Sequence, residues 1–279
     1  MNNFEEVLEY LSKKEWKLSK NWEKQIKFLR DRLKEESLDI EERKAIKNYT
    51  KIFKEPLFFK HDIETYKTGR IYAKYVLLPN KAINGIYLKK LFVPRKDYVF
   101  VSFDFTASQI RHMASYLDLD WLKEIFNQDI DVYQKYANET GINKRSIAKI
   151  IMLTLSFGGS ESTIRNKFED ELDEETIKKA VEIYDEWFKM KNKTYKQRVE
   201  FNHIIQRREV EFFKKKLIKL YQKQNKKFYL HAFIHDDVIC EVHKDHLDHI
   251  ENIKKFLEKN KDVKMKVKVS ISDTFQFKS

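Results

Sequence analysis

Residues 98–104 read Tyr98-Val-Phe-Val-Ser-Phe-Asp104, an almost continuous apolar run that ends on an acid. A short run rich in β-branched and aromatic residues predicts a buried strand. The pattern therefore places the Asp104 carboxylate at the end of a strand. Taken alone, an acid in such a position is most often a turn residue or a helix cap.

A second pair of apolar runs, residues 228–234 and 238–242, flanks the tripeptide His235-Asp236-Asp237. Two apolar runs joined by a short polar segment predict a β-hairpin, here with two acids at its tip. Adjacent carboxylates in apolar surroundings repel each other unless a cation lies between them. Acids on neighbouring strands of one sheet suit a site that holds two metal ions about 3.5–4 Å apart for phosphoryl transfer.

Helical patterns surround these strands. Apolar residues recur at the spacing of a helix face in residues 1–56, and the pattern returns between residues 107 and 227. A helix over residues 244–259 and a strand over residues 263–271 are predicted to close the chain. Strands interrupted by long helical insertions indicate an α+β fold, with a sheet domain and a helical subdomain.

The charge of the chain is concentrated in one segment. The 279 residues carry a formal net charge of +12, and residues 189–227 hold fourteen lysines and arginines against three glutamates. A concentrated positive stripe attracts polyphosphate backbones, and such binding depends on salt. The alternative is a lysine-rich chain whose helices have solvated basic faces.

Several classes of protein are disfavoured by composition. Because Cys240 is the only cysteine, an internal disulfide and a cysteine-based zinc site are excluded. No uninterrupted apolar run approaches the ~18 residues that a membrane span needs, and no signal-peptide pattern opens the sequence. We therefore expect a cytoplasmic protein without a membrane partner.

A basic and apolar stripe is predicted on one helix between residues 144 and 159. Four residues of this segment step by four and share one helix face: Arg145, Lys149, Leu153 and Phe157. The two cations can hold a triphosphate, and the aromatic ring can stack on a base. The alternative is a helix with a basic first turn and a glycine C-cap at Gly158.

Taken together, these segments resemble the family A polymerases, the group of bacterial DNA polymerase I. Residues 100–111 resemble motif A of that family, residues 145–158 match motif B at the expected spacing, and residues 234–237 match motif C. Two further matches are Thr68-Gly69-Arg70, followed by Lys89 and Lys90, and the pair formed by Asn202 and Gln206. The resemblance covers approximately residues 65–275.

The resemblance implies a right-hand polymerase architecture with an antiparallel-sheet palm, helical fingers and a much reduced thumb. We expect an N-terminal helical, thumb-like region in residues 1–60, the palm in residues 61–115 and 201–279, and the fingers in residues 116–200. Little chain precedes Thr68, so the same resemblance implies an enzyme without a proofreading exonuclease.

For the chemistry, the resemblance implies that Asp104, Asp236 and Asp237 are the catalytic carboxylates. Asp104, Asp236 and the Phe105 carbonyl would bind two Mg²⁺ ions, with Mn²⁺ as a possible substitute. Asp237 stands where the family usually has Glu, which makes its part less defined.

The resemblance also implies two sets of substrate contacts. Arg145 and Lys149 would hold the β- and γ-phosphates of an incoming dNTP, and the other nucleotide-binding residues would be Gln109, Leu153 and Phe157. The DNA primer-template would contact Arg70, Lys89, Lys90, Asn202, Gln206 and His235. Of these, Arg70, Asn202 and Gln206 would bind minor-groove acceptors that all correct base pairs share.

Two departures from the family pattern leave the choice of sugar open. Gln109 stands where DNA polymerases of this family usually have the Glu that crowds out a ribose 2′-OH. Phe157 lacks the hydroxyl of the Tyr that phage-type single-subunit RNA polymerases, which the motifs also resemble, use to choose ribose. DNA synthesis is favoured. A primase or RNA polymerase that uses NTPs, and a catalytically inactive nucleic-acid-binding module, are the alternatives.

Overall fold

A computed structural model of the chain describes residues 3–35, 37–53, 61–63, 70–73, 78–79 and 81–277. Its N-terminal part contains the helices α1 (Asn3–Ser12), α2 (Trp22–Arg32) and α3 (Ile40–Thr50), and then the antiparallel strands β1 (His61–Ile63) and β2 (Ile71–Ala73). A 3-10 turn, Leu88–Leu91, leads into strand β3 (Tyr98–Phe105).

A long helical insertion follows β3. Its helices are α4 (Ser108–Tyr116), α5 (Asp120–Asn127), α6 (Val132–Thr140), α7 (Arg145–Ser156), α8 (Glu161–Phe168), α9 (Glu174–Trp187) and α10 (Tyr195–Lys223). The hairpin strands β4 (Phe228–Ile234) and β5 (Asp237–His243), a 3-10 turn (Lys244–His246), helix α11 (His249–Glu258) and strand β6 (Val267–Ser272) complete the fold. Within the described ranges, no helix is long and apolar enough to span a membrane.

The central sheet is antiparallel, with the strand order β4-β5-β3-β6. Strand β3 lies between β5 and β6, and the pairing of its last residues determines which side chains meet at one end of the sheet. Asp104 pairs with Asp237 of β5 on one side and with Lys268 of β6 on the other. The register therefore brings charged residues from three strands to the same end of the sheet.

The two faces of β3 are buried in different hydrophobic cores, because successive side chains of a strand point to opposite faces. Val99, Val101, Phe103 and Phe105 belong to the larger core, which the helical insertion and α1 cover. Phe100 belongs to the smaller core, built around Trp16 of the N-terminal segment and residues of α2 and α3. β3 is thus covered on both sides, as its continuous apolar sequence predicted.

The predicted strand 98–104, the hairpin and the mixed helix-and-strand class are confirmed. The last strand is shorter than expected because it begins at Val267 rather than Val263. Val263 and Met265 lie in an irregular segment and are buried in the larger core. Their alternating apolar pattern therefore reflects packing against this core and not pairing in the sheet. The predicted helix 244–259 is split between a 3-10 turn and α11.

The smaller core is expected to depend on Trp16. Its ring is 2% exposed and packs edge-on against Phe92 and Phe275, at centroid distances of 5.5 and 4.7 Å. Because truncation of a large buried aromatic leaves a cavity, Trp16→Ala should lower the free energy of unfolding by about 3–5 kcal/mol in urea titrations. Phe28→Ala, at a ring that is 49% exposed, should stay within about 0.5 kcal/mol of the parent protein. A loss below about 1 kcal/mol for Trp16→Ala would contradict this packing.

Candidate active site

A cleft of about 550 Å³ opens at the end of the sheet where β3 stops and β4 turns into β5. The helices α4, α6, α7 and α10 contribute its walls, and Arg70 and Ile71 also line it. Most of the site residues that the sequence predicted line this cleft: Arg70, Asp104, Phe105, Gln109, Arg145, Lys149, Leu153, Phe157, His235 and Asp236. Residues far apart in the sequence therefore converge on one cavity.

Two carboxylates form the acidic side of the cleft. Asp104 is exposed at the end of β3, and Asp236 is partly buried in the turn between β4 and β5. Burial, reinforced by the negative charges of Asp104 and Glu209, raises the pKa of Asp236 to about 7. Desolvation by the surrounding walls of the cleft also raises the pKa of Asp104, and the positive charges of Lys149 and Lys268 oppose this shift. The ionised acids destabilise each other, and a cation between them would relieve this repulsion.

The backbone beside both acids is strained. Ala107, which follows β3 and caps α4, has φ 53°, and His235, which precedes Asp236, has φ 59°. The left-handed region costs a non-glycine residue about 1 kcal/mol, and such residues concentrate at functional sites. At both positions the strained residue sets the direction of the chain next to a cleft carboxylate.

The donor set at the acidic side fits magnesium. Among the described residues, no group of three or more His, Cys, Asp or Glu side chains is placed to hold a metal by itself. Asp104, Phe105 and Asp236 line the cleft, and carboxylate and carbonyl oxygens are the hard donors that could hold such an ion. Mg²⁺ is commonly held by one or two carboxylates together with water and substrate phosphates. The site therefore suits Mg²⁺ bound together with a triphosphate.

Asp237 is placed differently from its neighbour. Its two carboxylate oxygens accept hydrogen bonds from the Ser102 hydroxyl at 2.8 and 2.9 Å, and it is not among the described residues that line the cleft. Burial raises its pKa to about 7, although the Ser102 hydrogen bond opposes this shift. Lys89 is the cation that acts on Asp237. The hairpin thus directs one acid into the cleft and anchors the other on the sheet.

The cationic side of the cleft comes from α7. The guanidinium of Arg145 forms an ion pair with Asp131, with an N–O distance of 2.6 Å, and lies 5.4 Å from the centre of the Tyr133 ring. Lys149 lies one turn further along α7, 5.7 Å from the same ring, and its charge acts on Asp104. Asp131 also caps α6 by accepting hydrogen bonds from backbone amides. Arg145 therefore has an exposed partner that an anionic ligand would have to replace.

Phe157 is available at the end of the α7 stripe. Its ring is 44% exposed, and the Arg70 guanidinium lies 5.3 Å from the ring centre. The chain after Phe157 turns sharply, since a Cβ atom on Gly159 would lie 2.7 Å from the Thr154 carbonyl oxygen. Glycine at position 159 thus lets the chain turn back over α7 while Phe157 faces the cleft.

Gln109, Asn202 and Gln206 form a buried amide cluster between α4 and α10. The Asn202 Oδ1 accepts hydrogen bonds from Gln109 Nε2 at 3.2 Å and from Gln206 Nε2 at 3.0 Å. Each residue is 6% exposed. Gln109 also lines the cleft, whereas Asn202 and Gln206 are not among the described residues that do so. A contact of these two amides with DNA would require them to leave this cluster.

The remaining predicted residues lie around the cleft. His235 is exposed and lines it, whereas Lys89 and Lys90 lie on the 3-10 turn before β3, outside the described lining. Burial lowers the pKa of Lys89, and its ammonium lies 5.7 Å from the centre of the Phe275 ring. Thr68 and Gly69 fall outside the described residues.

Ten residues that line the cleft are not among the predicted site residues, and they include Ser108, Tyr133, Glu209 and Lys268. A signal for Glu209 exists, since it follows Gln206 by three positions and therefore shares its helix face. Lys268 could have been found only from the register that pairs it with Asp104.

No protein-family model matches the sequence, and no curated protein is significantly similar to it. Among solved structures, the polymerase domain of Pol1 from M. smegmatis, in complex with a DNA primer-template and a dNTP, has a similar fold. The TM-score is 0.69 at 15% sequence identity, and the match covers 85% of this chain. The chain spans about half of that structure, since 51% of it is matched. The likeness shows a polymerase fold and does not show membership of family A.

The burial of Asp236, together with the repulsion between the cleft acids, predicts a pH-dependent stability. A carboxyl with a raised pKa binds more protons in the folded state than in the unfolded state. The destabilising effect of Asp236 therefore grows as the pH rises from its ordinary pKa of 3.8 to its folded-state pKa of about 7. At pH 8 without divalent ions, Asp236→Asn should therefore raise the free energy of unfolding by about 2 kcal/mol or more, and by less at pH 5.

Urea titrations at both pH values, with and without Mg²⁺, measure this effect. At pH 8, Mg²⁺ should reduce the difference in free energy of unfolding between Asp236→Asn and the parent protein, because the cation neutralises the acids of the parent protein. Asp170→Asn, at an exposed turn, is the matched control and should change little. A less stable Asp236→Asn protein at pH 8 would refute the electrostatic account.

Proposed function

We propose that this protein is a template-directed DNA polymerase that extends a primer 3′ end with deoxynucleotides through two-metal-ion phosphoryl transfer. The observation that carries the proposal is the opposition of charges in one cleft: the acids Asp104 and Asp236 on the sheet, the cations Arg145 and Lys149 on α7. A metal-bound triphosphate needs both kinds of group, with oxygen ligands on one side and phosphate contacts on the other. The polymerase fold of the chain supports this proposal.

In the proposed reaction, the cleft residues bind and orient the nucleotide. Bound Mg²⁺ would supply activation of the primer hydroxyl and neutralisation of the charge on the leaving pyrophosphate. Asp104, Asp236 and the Phe105 carbonyl would hold the two ions. Arg145, released from Asp131, would join Lys149 on the β- and γ-phosphates. Because the exposed ion pair of Arg145 is worth about 1 kcal/mol or less, a triphosphate can replace it at small cost.

The base end of the nucleotide would lie towards Phe157. The exposed ring and the neighbouring Leu153 would pack against the nascent base pair, with Arg70 close by on the primer-template side. His235 would contact the primer terminus. The other proposed primer-template contacts are Lys89, Lys90, Asn202 and Gln206. Asn202 and Gln206 would first have to leave their buried amide cluster.

The architecture allows a proposed assignment of functional regions. Strands β3 to β6, with nearly all of α4 and most of α10, would belong to a palm in residues 61–115 and 201–279. Helices α5 to α9 correspond to fingers in residues 116–200, and residues 1–60 to a reduced thumb-like unit. The basic residues of α10 would add contacts to the nucleic-acid backbone, and such contacts weaken as salt rises.

A primase or RNA polymerase that uses NTPs is the second candidate. The observation that favours it is Gln109, a neutral amide that lines the cleft while its side chain donates to Asn202. Gln109 lacks the charge of the Glu that this position usually carries in family A DNA polymerases, so the cleft departs there from the pattern of an enzyme that excludes ribose. Phe157, which has no hydroxyl to assist ribose selection, favours the DNA polymerase.

Substitution of either cleft acid tests the proposal. Asp104→Ala and Asp236→Ala should each lower primer extension with dNTPs and Mg²⁺ by at least about a thousandfold, since each removes a metal ligand. Binding of a fluorescent primer-template, measured by anisotropy, should stay within about twofold, because the basic surface that supplies most of the affinity is unchanged.

Asp170→Ala serves as the control and should retain full extension. Near-normal synthesis by either cleft variant would remove that acid from the proposed metal site. Loss of DNA binding together with loss of synthesis would indicate a folding defect instead, and circular dichroism distinguishes the two.

A further inference from the structure

Glu209 is an acid in the cleft that the proposed reaction does not use. It lies on α10, is partly buried and lines the cleft together with Asp104 and Asp236. The Glu209 carboxylate forms no ion pair with any of the described residues. Burial raises its pKa, while the nearby Ser108 hydroxyl and the charge of Arg70 act in the opposite direction. A carboxylate can accept several hydrogen bonds, so Ser108 leaves Glu209 able to accept a further donor.

Ser108 supplies a second polar group at the same place. It is the first residue of α4, is 3% exposed and lines the cleft. Its Oγ is buried and lies near enough to Glu209 to lower the pKa of that carboxyl, but it completes no hydrogen bond of ordinary geometry with any of the described residues. Buried hydroxyls are normally paired, and an orphaned one calls for an explanation such as a missing ligand. Glu209 thus presents a hydrogen-bond acceptor to the cavity, and the Ser108 hydroxyl presents a group that can both donate and accept a hydrogen bond.

The neighbours of Glu209 locate it along the cleft. On one side its charge acts on Asp236, which belongs to the proposed metal end. On the other side Arg70 acts on it, and Arg70 lies against Phe157 at the proposed base end. In a nucleotide the sugar connects the phosphates to the base. Glu209 therefore lies between the proposed metal end and the proposed base end, where the sugar of a bound nucleotide would lie.

The chemistry of the pair narrows the ligand group. An ionised carboxylate accepts hydrogen bonds and repels phosphate oxygens, so the triphosphate is excluded. The exocyclic donors of the bases differ among the four nucleotides, and a template-directed enzyme must accept all four. A sugar hydroxyl is a donor that every nucleotide carries at the same place.

We propose that Glu209 and Ser108 form a subsite that binds a hydroxyl of the incoming nucleotide's sugar. The inference rests on the proposed polymerase function and adds to it the group that recognises the sugar. The sugar hydroxyl donates a hydrogen bond to the Glu209 carboxylate, and its oxygen accepts one from the Ser108 hydroxyl, whose own hydrogen bonding in the cleft is incomplete. Gln109, adjacent to Ser108 in the sequence, lines the same cleft.

The test compares single-nucleotide incorporation of ATP, 2′-deoxy-ATP, 3′-deoxy-ATP and 2′,3′-dideoxy-ATP by the parent protein, Glu209→Gln and Ser108→Ala. Hydrogen bonds to a charged group are stronger than neutral ones, so Glu209→Gln should weaken apparent binding about five- to tenfold for nucleotides that carry the bound hydroxyl. The dideoxy nucleotide should bind both proteins equally. Ser108→Ala should also weaken the apparent binding of the nucleotides that carry the bound hydroxyl.

Which nucleotides respond identifies the hydroxyl: a loss confined to ATP and 2′-deoxy-ATP indicates the 3′-OH, and a loss confined to ATP and 3′-deoxy-ATP the 2′-OH. Glu211→Gln is the matched control, because Glu211 lies on the same helix but is 60% exposed and paired with Lys214. Equal weakening of all four nucleotides, or no change in any, would overturn the subsite while normal incorporation leaves the polymerase proposal intact. Absence of incorporation by the parent protein would overturn both.

Discussion

The antiparallel pairing of β3 with β5 and β6 decides where the charges of this protein lie. Side chains alternate along a strand, so a slip of one residue in β3 would turn Asp104 to the opposite face and bury it among helices. The register is fixed because both faces of β3 are buried, Phe103 in the larger core and Phe100 in the smaller one. The pairing of Asp104 with Asp237 and Lys268 follows from these two cores.

This arrangement concentrates negative charge at a cost to the folded state. Burial and mutual repulsion raise the pKa of Asp236, while Ser102 anchors Asp237 and the cations Lys149 and Lys268 partly offset the charge of Asp104. Strained backbone at Ala107 and His235 directs the chain at the same place. A fold selected only for stability has no need of this combination, whereas a cleft that binds cations together with a polyanionic ligand does.

Much of the fold and part of the site could be predicted from the sequence. The strand ending at Asp104, the hairpin with its acids and the stripe from Arg145 to Phe157 follow from local periodicity, which depends on neighbours in the chain. The direction of Asp237 towards Ser102, the ion pair of Arg145 with Asp131 and the amide cluster around Asn202 depend on which elements pack together. Glu209 was missed for the same reason, because its place in the cleft is set by the packing of α10 beside α4. The proposed palm, fingers and thumb boundaries and the roles of the individual site residues stay predictions.

The polymerase fold, the opposed charges of the cleft and the basic surface of α10 lead to one central claim, that the cleft carries out templated nucleotide addition. The most direct measurement is extension of a labelled primer on a DNA template with Mg²⁺, comparing dNTPs, NTPs and a reaction without primer. We predict primer-dependent growth with dNTPs. Product from NTPs without primer would replace the DNA polymerase with a primase or RNA polymerase, and no product under any condition would contradict the claim and leave a nucleic-acid-binding protein.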